Sequence, residues 1–369
     1  MNYALAPCAP MLSTAPILPR IARTRGRAAS HRAADVAFAP RPLPSFEADV
    51  MAGLASRRKA IPPRWLEDDS SAAPDERAAQ HAAYDPAATE TRILERCARA
   101  IGQAAGARPV LVDFAGAAAR NARLLLKALR EPQAYVPTGL AAERLAEGAR
   151  DIAREFPALR VRPIVADICT LDALPELDAI GRVLGGNSRR VLFCPGAVAG
   201  ACDADETVAL LARIARAAGP GALLVIGADA TQDPALLLPA YDDRTGAMAQ
   251  RALHLLARID RDLDVDFSPS AFRYEARHDA RQQCVGMHLI SQYTQRVTVR
   301  GRAFQFAMGE SILVGTAHQH GVLKFQHLAA RAGWSHRQLW MDGGSQFAVH
   351  VLECDDGAVR AREQNVSLR

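Results

Sequence analysis

No stretch of eighteen apolar residues occurs in the chain, so no segment reads as a membrane-spanning helix. Cysteine is sparse and scattered: Cys8, Cys97, Cys169, Cys194, Cys202, Cys284 and Cys354 never approach Cys-x-x-Cys spacing, which disfavours a disulfide framework and a zinc cluster. Aromatic residues make up 5% of the chain and offer few platforms on which single-stranded nucleic acid could stack. Gly-x-Ser-x-Gly, phosphate-loop and Gly-x-Gly-x-x-Gly patterns are missing too. Serine hydrolase, P-loop nucleotide and ordinary nicotinamide readings therefore lack their motifs.

What is present is a chain of 369 residues, 49% hydrophobic and 23% charged, longer than one ordinary domain and able to bury a full core. Its formal charge of +5 is local. Residues 1–45 carry Arg20, Arg23, Arg25, Arg27, Arg32 and Arg41 against Asp35 alone, so the remainder is near neutral and a nucleic-acid partner is not expected. That Ala-, Arg- and Pro-rich tail resembles a transit peptide in composition but lacks a secretory apolar core, and it reads as a disordered basic tail. A cytoplasmic protein without a membrane partner is the expectation.

Residues 46–102 suggest helices around a polar, Pro-bearing stretch, with Ala88 to Ile101 amphipathic at helical spacing. Five apolar runs then alternate with Ala/Leu/Arg helices: Pro109 to Phe114, Ala134 to Thr138, Val161 to Val165, Val191 to Cys194 and Ala222 to Gly227. Such alternation predicts an α/β fold with a doubly wound parallel sheet over 103–232, whose ligands gather at strand C-terminal ends. Pro234 to Asp264 reads as one long helical stretch, followed by strands at Cys284 to Tyr293, Arg296 to Val299 and Glu310 to Val314. Together these make an inserted α+β unit over 233–325. Residues 326–352 read as a helix and a hairpin around Asp342-Gly343-Gly344, whose glycines suit positive φ, leaving 353–369 as a tail.

Several blocks in one order carry a resemblance: Lys59 to Asp68 (Lys-Ala-Ile-Pro-Pro-Arg-Trp-Leu-Glu-Asp), Tyr84-Asp85-Pro86 with Thr89-Glu90, Tyr135-Val136-Pro137, Phe193-Cys194-Pro195-Gly196, Asp233-Pro234 with Tyr241-Asp242-Asp243, and Met287-His288-Leu289. From about Phe46 to Leu352 the chain resembles the histidine-specific methyltransferases of ergothioneine biosynthesis. The resemblance implies a Rossmann-like domain that binds S-adenosyl-L-methionine (SAM), a second domain enclosing the acceptor, and methyl transfer to an α-amine. It points Asp113, Gly116 and Asp167 toward the cofactor and Tyr241, Met287 and Glu67 toward the substrate.

The same positions also depart from the family. Its glycine-rich loop falls on Asp113 to Ala118, where Gly116 is the one glycine; its ribose acid falls on Gly139 and its loop lysine on Asn121. The Asn that shares the substrate carboxylate with Tyr241 falls on Ala201. The Glu and Ser that contact the imidazole fall on Gly315 and Ala317, and a family Tyr becomes Glu67. Each lost partner of a buried polar group costs on the order of 1 to 3 kcal/mol, so histidine is not the expected acceptor. The expectation is a diverged N-methyltransferase for a small amine or amino acid; the alternative is a catalytically inactive binding or regulatory protein on the same fold.

Plainer roles compete at each position. Asp113 and Asp167 could cap helices, and Tyr241 and Met287 could belong to the core. His318 and His320, with His327 and His336 downstream, lack an acid or Cys to complete a metal shell, so no metal is expected. Cys194 and Cys202 flank the Pro195-Gly196 loop, where a thiol could be acidified or simply fill space.

Overall fold

The computed structural model describes residues 37–38, 44–66, 84–114, 120–169, 188–242, 246–263, 265 and 267–355, all within the compact unit Ala34–Arg369. Glu67 and Gly116 lie outside the described residues. In chain order the first half contains β1 (Ala37–Phe38), α1 (Phe46–Ala55), α2 (Pro86–Ala105), β2 (Val110–Asp113), α3 (Arg120–Ala128), β3 (Ala134–Gly139), α4 (Ala142–Glu155), β4 (Arg160–Val161) and β5 (Ile164–Val165). It continues with β6 (Arg190–Cys194), α5 (Gly196–Gly200), α6 (Ala204–Ala218) and β7 (Leu223–Asp229).

Strands covered on both faces need apolar residues at every position, and Val110–Asp113 and Leu223–Asp229 are buried throughout. The sheet runs β1-β5-β3-β2-β6-β7-β14-β13, parallel from β1 to β7, where β13 is Trp334–Met341 and β14 is Phe347–Cys354. β14 pairs antiparallel with both β7 and β13. The order reverses at β2/β6, which puts a ligand crevice at the C-terminal ends of these two strands. One apolar core gathers Val112, Val136, Leu192 and Leu224 with α6, and another packs α2 and α3 against Leu111, Tyr135 and Val225. This is an α/β, Rossmann-like doubly wound sheet.

Helix ends follow their residues. Asp85 caps α2 by accepting from Ala88 N at 3.0 Å with Pro86 in the first turn, and Asp203 with Glu206 forms a reciprocal capping box on α6. Gly106 and Gly219 end these helices at φ of 77°.

A third core joins α1 to α8 (Ala247–Leu263) and to β8 (Phe272–Asp279), β9 (Cys284–Ser291), β10 (Gln295–Val299), β11 (Arg302–Phe306) and β12 (Ser311–His318). β12, β9 and β8 form an antiparallel sheet, while β10 and β11 form a hairpin.

Three expectations are corrected here. The stretch from Pro234 is two helices, Pro234–Tyr241 (α7, with Pro239 inside it) and Ala247–Leu263, with Gly246 at φ 75° before the second. Three strands escaped the sequence reading: β1 lies in the segment read as a tail, β8 carries charged residues (Arg273, Glu275, Arg277) along an edge, and β11 exposes Arg302 and Gln305 while burying Phe304 and Phe306. In the β13–β14 turn, positive φ falls on Ser345 at 55° rather than on Gly343 or Gly344. Asp342 fixes that turn by accepting from the backbone N–H groups of Gly344, Gln346 and Phe347. Among the described residues no helix is long and apolar enough to cross a membrane.

Candidate functional site

Asp113 ends β2 fully buried and accepts a hydrogen bond from the Tyr135 hydroxyl at 2.7 Å. Burial and the adjacent carboxylate hold that hydroxyl well above the usual phenol range. Asp167 follows β5. Its Oδ1 accepts from Cys169 N at 2.9 Å and its Oδ2 from Arg64 Nη1 at 3.2 Å. Arg64 stands in the 3-10 turn Pro63–Trp65 and also donates to Asp49, which takes a third donor from the Trp65 indole at 2.8 Å. A network from the N-terminal segment thus reaches the strand end on which the resemblance sets the adenine acid. Between them, Gly139 closes β3 with its carbonyl bonded to Ala166 N at 3.0 Å and presents no side chain toward a ribose.

Glu90 is a residue whose role the sequence reading did not isolate. It projects from α2 with 4% exposure, and its Oε1 accepts from Gly196 N at 3.0 Å. A Cβ on Gly227 would lie 2.1 Å from that oxygen and 2.9 Å from Gly196 N, so glycine is required there for the carboxyl to reach the loop. Burial pushes Glu90 up to about 8 against the Gly196 N–H that lowers it, with Asp113 adding to the rise.

Of the residues that the resemblance sets toward the substrate, Tyr241 ends α7 partly exposed, and its carbonyl accepts from the Tyr274 hydroxyl. Met287 on β9 is buried at 7% exposure and pairs with Gly315 across a β-bulge between Leu313 and Gly315. A Cβ on Gly315 would meet Met287 Cε at 2.8 Å and Leu66 Cδ1 at 3.5 Å. Gly315 and Thr316 border a cavity of about 400 Å³ that also touches Asp49, Gly53 and Ile61. Ala201 and Ala317 contribute carbonyls only, bonded to Thr316 Oγ1 at 3.3 Å and Gln319 Nε2 at 2.7 Å.

Asp229 ends β7 at 6% exposure. It accepts from the Tyr84 hydroxyl at 2.9 Å and Thr231 N at 3.1 Å, and burial raises it to about 6. Its backbone carbonyl takes His320 N at 2.8 Å, while the His320 ring meets Thr207 Oγ1 and the Cys202 carbonyl at 3.2 and 3.1 Å. Those histidine contacts are structural in kind, and among the described residues no group of three His, Cys, Asp or Glu side chains could hold a metal ion. The fold therefore gathers Tyr84, Asp229 and His320, through hydrogen bonds, near the switch-point crevice. Glu67 and Gly116 are outside the described residues.

A family model described as histidine-specific, SAM-dependent methyltransferase matches residues 46–354. The chain is 27% identical over 308 residues to a histidine N-alpha-methyltransferase of Mycolicibacterium smegmatis, covering 82% of this chain and 93% of that protein. Its counterpart from Mycobacterium tuberculosis is 28% identical over the same shares. Among solved structures, the CcbJ methyltransferase from Streptomyces caelestis aligns with a TM-score of 0.40 at 17% identity, covering 74% of this chain and 92% of that one. The match spans β2 to β14 together with Glu90 and Asp229, and the chain belongs to the SAM-dependent, histidine-specific methyltransferase family.

Proposed function

We propose that this protein is a SAM-dependent N-methyltransferase whose acceptor is a small amine or amino acid other than histidine. The observation that carries the proposal is the packing at Gly315: where the family sets an acid against an imidazole, Met287 Cε lies 2.8 Å from the position of any added Cβ. A buried imidazole would find no acid there, and neither Ala317 nor Ala201 can supply a side-chain partner.

The cofactor residues fit SAM in part. SAM supplies an electrophilic methyl group on a sulfonium when bound. Asp167, two residues after β5, suits an adenine amino group, with Arg64 holding its Oδ2 in place. Gly139 leaves the ribose hydroxyls without a carboxylate, so affinity should be weaker than the family pattern would give. Glu90 fixes the Gly196 N–H beside the crevice and keeps the Pro195-Gly196 loop against β7.

Calorimetric titration with SAM and its demethylated product S-adenosylhomocysteine (SAH) tests the cofactor half. Affinity near micromolar, about 8 kcal/mol, supports an enzyme; no binding at millimolar ligand removes the methyltransferase reading. Incubation with SAM and histidine tests the acceptor half, with no methylhistidine above a no-enzyme control as the expected outcome. The second reading, a fold kept for binding without catalysis, is favoured by Asp113 and Asp167 both being engaged by protein donors, and it predicts the no-binding result.

A further inference from the structure

The acceptor side gathers carboxylates where an amino acid would present one of its own. Asp229 uses Oδ1 for both of its donors, the Tyr84 hydroxyl and Thr231 N, while its Oδ2 is buried without a partner. Next along the chain from Tyr84, Asp85 uses Oδ1 to cap α2, and its Oδ2 is likewise buried without a partner. The Tyr84 hydroxyl also lies 3.4 Å from the Gln346 carbonyl, whose other donor is Ala230 N at 2.8 Å. That contact sets the cluster beside the β13–β14 turn and its Asp342. Burial, then the charges of Asp229, Tyr274 and Asp85 in that order, hold the Tyr241 hydroxyl above its ordinary range, so Tyr241 shares this field.

Leaving a carboxylate oxygen buried without a donor costs free energy in a folded protein, and a ligand N–H that fills the position recovers it. An incoming carboxylate would instead meet Asp229, Asp85 and Asp342, with no amide at Ala201 to receive it. We propose that Asp229 and Asp85, with Tyr241, form a cation subsite for the ammonium end of an aliphatic amine, so that the acceptor carries no carboxylate beside that end. The assignment deepens the N-methyltransferase reading and rests on it for its place in a reaction. The subsite itself stands on the two unpartnered oxygens.

The test is titration of 1,4-diaminobutane and of butanedioate, equal in carbon count but with ammonium ends in one and carboxylate ends in the other, into the full chain with and without SAH. The diamine is expected to bind at least tenfold more tightly, and Asp229→Asn, which keeps the Oδ1 acceptor for Tyr84, is expected to remove at least tenfold of that affinity. Asp85→Asn keeps the helix cap and should weaken the diamine severalfold, which carries the test if Asp229→Asn does not fold. Equal affinity for the two probes, no diamine binding, or diamine binding unchanged in both variants would overturn the subsite. Diamine binding without any SAH binding would keep the subsite and remove the methyltransferase reading, so the two can fail separately.

Discussion

The strand ends of β2 and β5 treat their acids differently from the β6–β7 side of the crevice. Asp113 and Asp167 each receive donors from the protein, a Tyr135 hydroxyl in one case and an Arg64 guanidinium with a backbone N–H in the other. Glu90 and Asp229 also have donors, Gly196 N for one and the Tyr84 hydroxyl with Thr231 N for the other, but burial outweighs them and raises the two acids to about 8 and about 6. A ligand at the first pair must compete with or join contacts already made. At Asp229, the fold has already borne the cost of desolvation, so a new donor is gained outright. Under the proposed reading, Asp229 is therefore where a change of ligand alters affinity most.

The harshest way to break this contrast is Gly227→Ala. The new Cβ would lie 2.1 Å from Glu90 Oε1, 2.9 Å from Gly196 N and 2.9 Å from Phe347 Cζ, and the backbone Gly196 N cannot move without shifting the loop. A loss of roughly 4 kcal/mol in denaturant unfolding is expected, at the upper end for overpacking. Adding Glu90→Ala should recover part of it.

Glu90→Gln sharpens the contrast without a clash. The native carboxyl is raised from its ordinary 4.5 to about 8, so its burial costs nothing below about pH 4.5 and progressively more as pH rises toward 8. Gln stays neutral and retains an acceptor for Gly196 N. The variant should match the parent at pH 4 and exceed it by roughly 3 kcal/mol at pH 9, at about 1.4 kcal/mol per pKa unit with allowance for relaxation. A parallel shift at both pH values would mean that Glu90 is not titrating in this range.

On the cofactor side, Asp167→Asn should lower SAH affinity about tenfold, roughly 1.4 kcal/mol, read by calorimetry. Stability should change less, since the amide oxygen can still accept from Cys169 N or Arg64. Unchanged affinity would leave Asp167 as an anchor for Arg64 and erase the functional half of the contrast.

The parallel sheet was legible because its central strands are apolar along most of their length and separated by punctuated helices; burial on both faces writes itself into composition. Glu90 carried a signal that was available: Ile93, Leu94, Cys97 and Ile101 follow it at helical spacing, so an acid sits on the buried stripe of α2. The filling of Gly315 was not legible. It depends on the β9–β12 register, on a bulge between Leu313 and Gly315, and on Leu66, which lies far away in the chain. The pairing of Tyr84 with Asp229 across 145 residues is of the same kind. Local pattern specifies which residues are buried, while the partner of a buried polar group is fixed by tertiary contact.

Tyr84→Phe is the mildest probe of the acceptor side and the most specific. The hydroxyl donates to Asp229 Oδ1 and favours the ionised carboxylate, holding its rise from 3.8 to about 6 rather than higher. A folded-state value above the ordinary one means that Asp229 imposes no cost below about pH 4 and an increasing cost as pH passes through about 6. Without the hydroxyl that cost must grow and extend to higher pH. The expected loss is about 1 kcal/mol at pH 8, shrinking at pH 5 where Asp229 is largely protonated, in paired denaturant unfolding curves. Diamine affinity should fall in step at neutral pH, because a larger share of Asp229 is then uncharged. If the loss is the same at both pH values, the Tyr84 hydroxyl acts through the Gln346 carbonyl and packing, and the charge of Asp229 is set by burial alone.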